Sequence, residues 1–423
     1  MSGWIRRFIS EQKFPSIIFF ALIIRLLLLP FSFHSDLNNH AFWGIFGYEF
    51  GFRGFYDWLN FGVYARPDYP PLAMILFSGI RMVWFWLNKA VWFLNVSFPI
   101  FPSNFVPWFE TKGYLSMLKL PGIFGDLGIG YLIFNFLKTK GRKKALLYSS
   151  LYLFNPAVIY LSACWGQIDS FVAFFSVLAI VLVLQNNYFR VLSLYFISVM
   201  TKATWVPATL VLLIHYVKDR PGMKKTILLT ILLAFYLSIL GFIFFNSNFI
   251  FWTTNLYFSK IIKGAVTLPY ITINAFNYWS AILGMDKILD NKVFFNLTLN
   301  LWAWLLAGAF ILLIAYYHLK AKDIFFTLGM IFFAFFMFAP RIHERYLFPL
   351  LVLLPFVVSK YKNMTKYYLI LSVVFMLNLY HWWWYPHITF AEKLVDLEIV
   401  ERSLSLVNLS VFFLMLRNYI LLK

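Results

Sequence analysis

The residues able to do chemistry sit in a few short segments where acids, histidines and aromatics occur together. His34-Ser35-Asp36-Leu37-Asn38-Asn39-His40 follows directly on an apolar run. A carboxylate emerging just past such a run is oriented by the helix behind it. Asp36 therefore has the chemistry of a general base, or of a group that orients an acceptor hydroxyl. It is equally a good N-cap for a helix starting near Leu37. In Asp68-Tyr69-Pro70-Pro71-Leu72, two prolines fix an extended approach and then permit a helix to start, so the backbone at Asp68 is held rigidly. In Trp165-Gly166-Gln167-Ile168-Asp169, Gln167 and Asp169 can bind hydroxyls and Trp165 can stack on a sugar ring; an ordinary polar turn has the same composition. His343-Glu344-Arg345-Tyr346 supplies a cation donor, an acid and a guanidinium suited to phosphate. An interfacial Arg that only snorkels fits there too. No second His lies four residues beyond His343, so this is not a zinc-protease motif.

These segments are separated by stretches that are anything but polar. The chain is 62% hydrophobic, 22% aromatic and only 13% charged, with formal net charge +19. A soluble fold of this size cannot hide so much apolar surface, so the bilayer must act as part of the solvent. Apolar runs of about 20 residues recur, favouring spanning helices over a barrel, whose strands would be short and alternating. The basic residues cluster in short loops between those runs, as insertion demands, so the charge does not argue for nucleic acid. Cys164 is alone, which excludes a disulfide framework and a cysteine metal site. Arg6, Arg7 and Lys13 precede an apolar run in the manner of a signal peptide. Arg25 interrupts that run and no small-residue cleavage site follows, so it reads as a retained first helix.

Positive-inside bookkeeping predicts an all-α membrane protein of about twelve crossings. The whole chain, residues 1–423, forms one polytopic domain with both termini cytoplasmic. Two large non-cytoplasmic regions, 34–114 and 246–298, carry short interfacial helices. Residues 72–96 are placed as an interfacial or re-entrant segment, because only then does the basic loop 138–144 fall inside. Residues 189–217 have cytoplasmic charge at both ends, which predicts two short helices meeting near Thr201-Lys202-Ala203-Thr204. Asn155-Pro156 predicts a kink that aims the Trp165–Asp169 turn. Arg25 and Asp126, each near mid-span, are expected to pair as a structural tie. Only Glu11, Asp219 and Asp323 remain as cytoplasmic acids; the others gather on the opposite face.

Taken in order, these motifs resemble the GT-C superfamily of membrane glycosyltransferases. The run at 68–72 is similar to the endoplasmic-reticulum glucosyltransferases that extend dolichol-linked oligosaccharides. Asn155-Pro156, the 165–169 turn, Thr201-Lys202, the stretch 274–279 and His343-Glu344-Arg345-Tyr346 are more similar to prokaryotic polyprenyl-phosphate-mannose-type members. The resemblance implies inverting transfer of mannose or glucose from a polyprenyl-phosphate donor, without a nucleotide sugar, to a lipid-linked glycan, glycolipid or other extracytoplasmic acceptor. It puts Asp36 at the position of the presumed base. Lys202, His343 and Arg345 then face the donor phosphate, while Asp68, Tyr69, Trp165, Gln167, Asp169, Asn277 and Glu344 face sugar or acceptor. The second outer region would gate the donor. Leu37-Asn38-Asn39 leaves no second acid beside Asp36, so the paired-acid metal site that some members use is incomplete here, and no cofactor beyond the lipid-linked donor is expected. The motif style points to a prokaryotic plasma membrane, or to the endoplasmic reticulum if the source is eukaryotic. A lipid-linked-sugar flippase or transporter, and a catalytically inactive family member, are the competing readings.

Overall fold

The computed structural model describes residues 3–58, 62–244, 268–320, 323–358, 360–361 and 363–421, with side chains from residue 13 onward. Residues 246–267 of the second outer region, which would gate the donor, thus lie outside the described residues. The architecture is all-helical apart from two-residue strand pairs. Thr272–Ile273 lies parallel to Ile342–His343, and Val293–Phe294 antiparallel to Leu297–Thr298. Among the described residues, five helices are long and apolar enough to cross a membrane: Pro71–Ser97, Leu120–Lys140, Met223–Phe244, Leu299–His318 and Glu398–Leu421. Arg142–Leu153 and Pro156–Trp165 pass the same test only as a pair, bent by 48°. The bend falls at Asn155-Pro156, as the sequence predicts. Pro156 opens the second half, and the Asn155 side chain accepts from Ala157 N while donating to Tyr368 Oη and Ser372 Oγ at 3.0 and 2.8 Å.

Burial separates the central helices from the peripheral ones. Ile324–Phe338 is apolar at every position but Thr327 and is buried nearly all round, as is Phe348–Val357. A helix with no polar face belongs in the middle of a bundle. Met223–Phe244, apolar beyond its first turn, buries only Leu240, Gly241 and Phe244, leaving its other faces to the surroundings. Leu120–Leu137 meets its neighbours through glycine. A Cβ on Gly125 would stand 2.2 Å from the Ser170 carbonyl carbon, and one on Gly122 would stand 2.6 Å from the Gln167 oxygen. Small residues at such positions let helix backbones approach closely, and here they dock the 165–169 turn.

Residues 72–96, read as an interfacial or re-entrant segment, form part of an unbroken 27-residue helix that is also long and apolar enough to cross a membrane. Pro71 starts it at N1, and no proline interrupts it afterwards. Arg25 and Asp126 do pair: Nε to Oδ2 is 2.8 Å, with both side chains fully buried. Tyr152 and Ser162 donate to the same carboxylate.

The charges sort to two poles. Asp323 caps the start of Ile324–Phe338 and pairs with Lys360 at 2.8 Å. Lys218 reaches the Leu319 carbonyl, and its neighbour Asp219 accepts from Tyr188. The opposite end of Ile324–Phe338, about 22 Å away for 15 residues at 1.5 Å each, leads into Arg341–Arg345. That second pole holds the candidate site.

Candidate functional site

Asp36 reaches its position through a series of local ties. The first helix, Gly3–Leu28, ends in a turn whose carbonyls are capped by a buried lysine. Lys119 Nζ donates to Leu29 O at 2.8 Å and to Ser32 O at 2.5 Å. Ser32 Oγ then donates to Cys164 O at 3.0 Å. The helix that follows, Ser35–Phe50, is capped not by Asp36 but by His34, whose Nδ1 accepts from Asp36 N at 3.1 Å. The Asp36 carboxylate is thereby left to point elsewhere. It lies in the first helical turn, where the dipole favours an anion. Its Oδ2 accepts from Trp165 Nε1 at 3.2 Å and from Gln167 Nε2.

The turn that supplies those donors ends a π-helical stretch, Tyr160–Trp165, and reverses at Gly166 with φ +87°. A side chain there would be strained and would run into Leu37. Gln167 is the hub beyond it. Its amide nitrogen faces Asp36, and its oxygen accepts from Tyr69 Oη at 3.2 Å and from Lys202 Nζ at 3.1 Å. Lys202 sits where the chain breaks between Tyr188–Thr201 and Ala203–Ala208, as expected from the charge at both ends of 189–217. It pairs with Asp169 at 2.7 Å and lies 4.9 Å from the Tyr69 ring centre. Tyr69 is held in turn by Tyr56 Oη on its carbonyl at 2.7 Å.

Arg345 completes the pole from the far end of the chain. Glu344 is fully buried and accepts from Arg345 Nη1 at 2.9 Å, with His343 Nδ1 3.8 Å from its other oxygen. Arg345 Nε is buried without a hydrogen-bond partner, which leaves one guanidinium N–H uncommitted. The His343 strand is braced by Thr272–Ile273, and Asn378 clamps the adjoining turn through Asn274 O and Phe276 N.

The electrostatics follow. Burial disfavours the Asp36 anion, but the Arg345 guanidinium, the His34 and His40 imidazoles and the Trp165 N–H outweigh it and hold the carboxyl at about 2. Burial holds His40 down at about 3, so it is neutral; its ring stacks on Phe77 at 4.6 Å. Burial moves Asp68 the other way, upward, with Arg345 and Lys202 opposing. Two carboxyl groups under the same cations are thus driven apart.

The structure brings Asp36, Tyr69, Trp165, Gln167, Asp169 and Lys202 into one network of contacts, with Asp68 and Arg345 acting on it through charge. Some roles differ from those read in the sequence. The Trp165 ring is completely buried and lies 4.4 Å from His34 and 5.8 Å from Trp383, so it offers an N–H rather than an open face for a sugar. Asp169 is occupied in neutralising Lys202. Asn277 caps Tyr278–Leu283 by accepting from Trp279 N and Ser280 N while donating to Phe336 O. It is a scaffold residue of the adjoining loop. His34, His40 and Trp383 were not singled out beforehand. The two histidines flank Asp36 in the sequence and were there to be found; Trp383 carries no local signal.

The fold and site define a helical protein with spans of membrane-crossing length and a charged, aromatic-walled cluster at one pole. The chain matches no protein-family model and no curated protein sequence.

Proposed function

We propose that the protein is a GT-C-type membrane glycosyltransferase that moves a hexose, mannose or glucose, from a polyprenyl-phosphate donor to a lipid-linked glycan or another extracytoplasmic acceptor, with inversion. The observation that carries this reading is the pairing of an ionised, well-oriented Asp36 with an Arg345 that keeps an unpartnered N–H in the same pole. Asp36 takes the proton of the acceptor hydroxyl as its oxygen attacks the anomeric carbon. The bond from that carbon to the phosphate oxygen breaks on the opposite face. Arg345, assisted by His343, binds the phosphate and stabilises the charge that develops as it leaves. Lys202 contributes field rather than a free ligand, since Asp169 and Gln167 hold its ammonium.

In this reading the pole is non-cytoplasmic, the termini are cytoplasmic, and the helices make about twelve crossings. A transporter would place its polar site at mid-membrane between broken helices of related halves. Here the mid-span charges Arg25 and Asp126 neutralise each other, while the open chemistry lies at the end of the bundle, which favours an enzyme. The test is incubation of the purified protein with radiolabelled polyprenyl-phosphate mannose or glucose and a mixed lipid acceptor extract. Label should pass to an acceptor from one of these donors and not from nucleotide sugars. Transfer from a nucleotide sugar, or from neither lipid donor although both bind, would refute the reading.

A further inference from the structure

A second cluster of ligating side chains lies where three helices end or begin. His381 is in the last turn of Met364–Trp382, Asp396 caps the C-terminal end of Thr389–Val395, and Glu401 is in the first turn of Glu398–Leu421. Their ligand atoms all lie within 4.8 Å of one another. His381 Nε2 is 2.9 Å from Glu401 Oε1 and 3.8 Å from Asp396 Oδ1. A cavity of about 370 Å³ opens onto the three and is lined as well by Asp286, Glu398 and Asn274.

Among the described residues, neither Asp396 nor Glu401 is paired with a Lys or Arg. Arg402 is committed to Glu398 at 2.8 Å and to the carbonyls of Ala281 and Ile282. Asp396 and Glu401 face one imidazole, and Asp286 lines the same cavity. The His381 side chain is only 8% exposed, and its Nε2 points at both acids. Asp396, with 62% of its side chain exposed, gives the cavity access to solvent and is the ligand freest to adjust.

The geometry points to a binding site for one divalent transition-metal ion, held by His381, Asp396 and Glu401. One imidazole and two carboxylates suit Zn²⁺, whereas Ca²⁺ and Mg²⁺ take oxygen donors alone. Three protein ligands leave a position for water. The ion would tie the segment after Met364–Trp382 to the start of Glu398–Leu421. Trp383, two residues past His381, packs 5.0 Å from His34 and 5.8 Å from Trp165. The ion would therefore act as a staple behind the Asp36 pole. This inference stands independently of the transferase reading.

The test uses tag-free full-length protein in detergent, stripped with chelator, then titrated with Zn²⁺ and separately with Mg²⁺ by calorimetry, with thermal unfolding in parallel. Wild type should bind one equivalent of Zn²⁺, prefer it to Mg²⁺, and unfold at a higher temperature when loaded. Asp396→Asn and His381→Ala should each weaken binding by more than the roughly 10- to 100-fold that loss of an outer hydrogen-bond partner costs. Glu392→Gln, in the neighbouring His387 pair, should bind as wild type does. Asp396 is exposed enough that its variant folds even if the His381 variant does not. No Zn²⁺ uptake by wild type, or equal affinity in Asp396→Asn, would overturn the proposal.

Discussion

Asp36 and Lys202 are joined through a single side-chain amide. Gln167 donates to the carboxylate with its nitrogen and accepts from the ammonium with its oxygen, and Tyr69 shares that oxygen. The orientation is forced, because a flipped amide would set N–H against ammonium and oxygen against carboxylate. The base and the cation are therefore positioned as one unit. Gln167→Leu keeps the bulk and removes all three bonds. Under the proposed mechanism turnover should fall roughly 100-fold, the scale of a small misplacement of reacting groups, with donor affinity nearly unchanged. A rise in KM with kcat intact would assign Gln167 to binding instead.

The depressed Asp36 pKa makes a pH prediction. A carboxyl held at about 2, below its ordinary value near 3.8, is ionised throughout the physiological range. Its stabilising contribution is complete above about pH 4 and fades as pH falls towards 2. Arg345 is the largest of the groups that hold it down. Arg345→Met should therefore raise the acid limb of kcat/KM by at least about one unit, the usual reach of a neighbouring guanidinium. A variant with reduced activity but an unmoved profile would separate Arg345 from the base.

Parts of this arrangement were open to reading in the sequence and parts were not. Lys202 at a helix break, the bend at Asn155-Pro156 and the Arg25–Asp126 tie follow from charge sidedness, proline geometry and the cost of a lone charge in an apolar layer. Those are local or one-dimensional constraints. Which partner each polar atom takes depends on packing between distant segments. Trp165 looked like a sugar platform until His34 and Trp383 closed over its ring, and Asn277 looked like a site residue until its cap was seen. The helix Pro71–Ser97 is long and apolar enough to span, and only the sidedness of the later basic loop places it in the interface.

The tie between the first two sequence-predicted spans should govern stability rather than chemistry. Asp126→Asn leaves the Arg25 charge buried and unmatched, which costs about 3–5 kcal/mol for such pairs. The double variant Arg25→Met with Asp126→Leu removes both charges and should unfold at a higher temperature than Asp126→Asn. Thermal unfolding in detergent decides this; a double variant less stable than the single would mean the two residues serve separate partners.

Lys119 is a positioning residue for Asp36. Its ammonium caps two carbonyls at the end of the first helix, four to seven residues before the base. Lys119→Met would strand them, at about 1–3 kcal/mol for each buried acceptor. The expected result is a lower kcat with donor affinity preserved and the pH profile unchanged, since Lys119 acts through backbone geometry. Loss of donor binding would place it instead on the phosphate path.

The most direct test of the central claim compares wild type with Asp36→Asn in transfer from the active polyprenyl-phosphate hexose, alongside donor binding. Asn keeps the size of the side chain and its Trp165 contact but has no basic oxygen to take a proton. The account predicts that transfer disappears while the donor still binds. Equal transfer by both proteins would remove Asp36 from the mechanism.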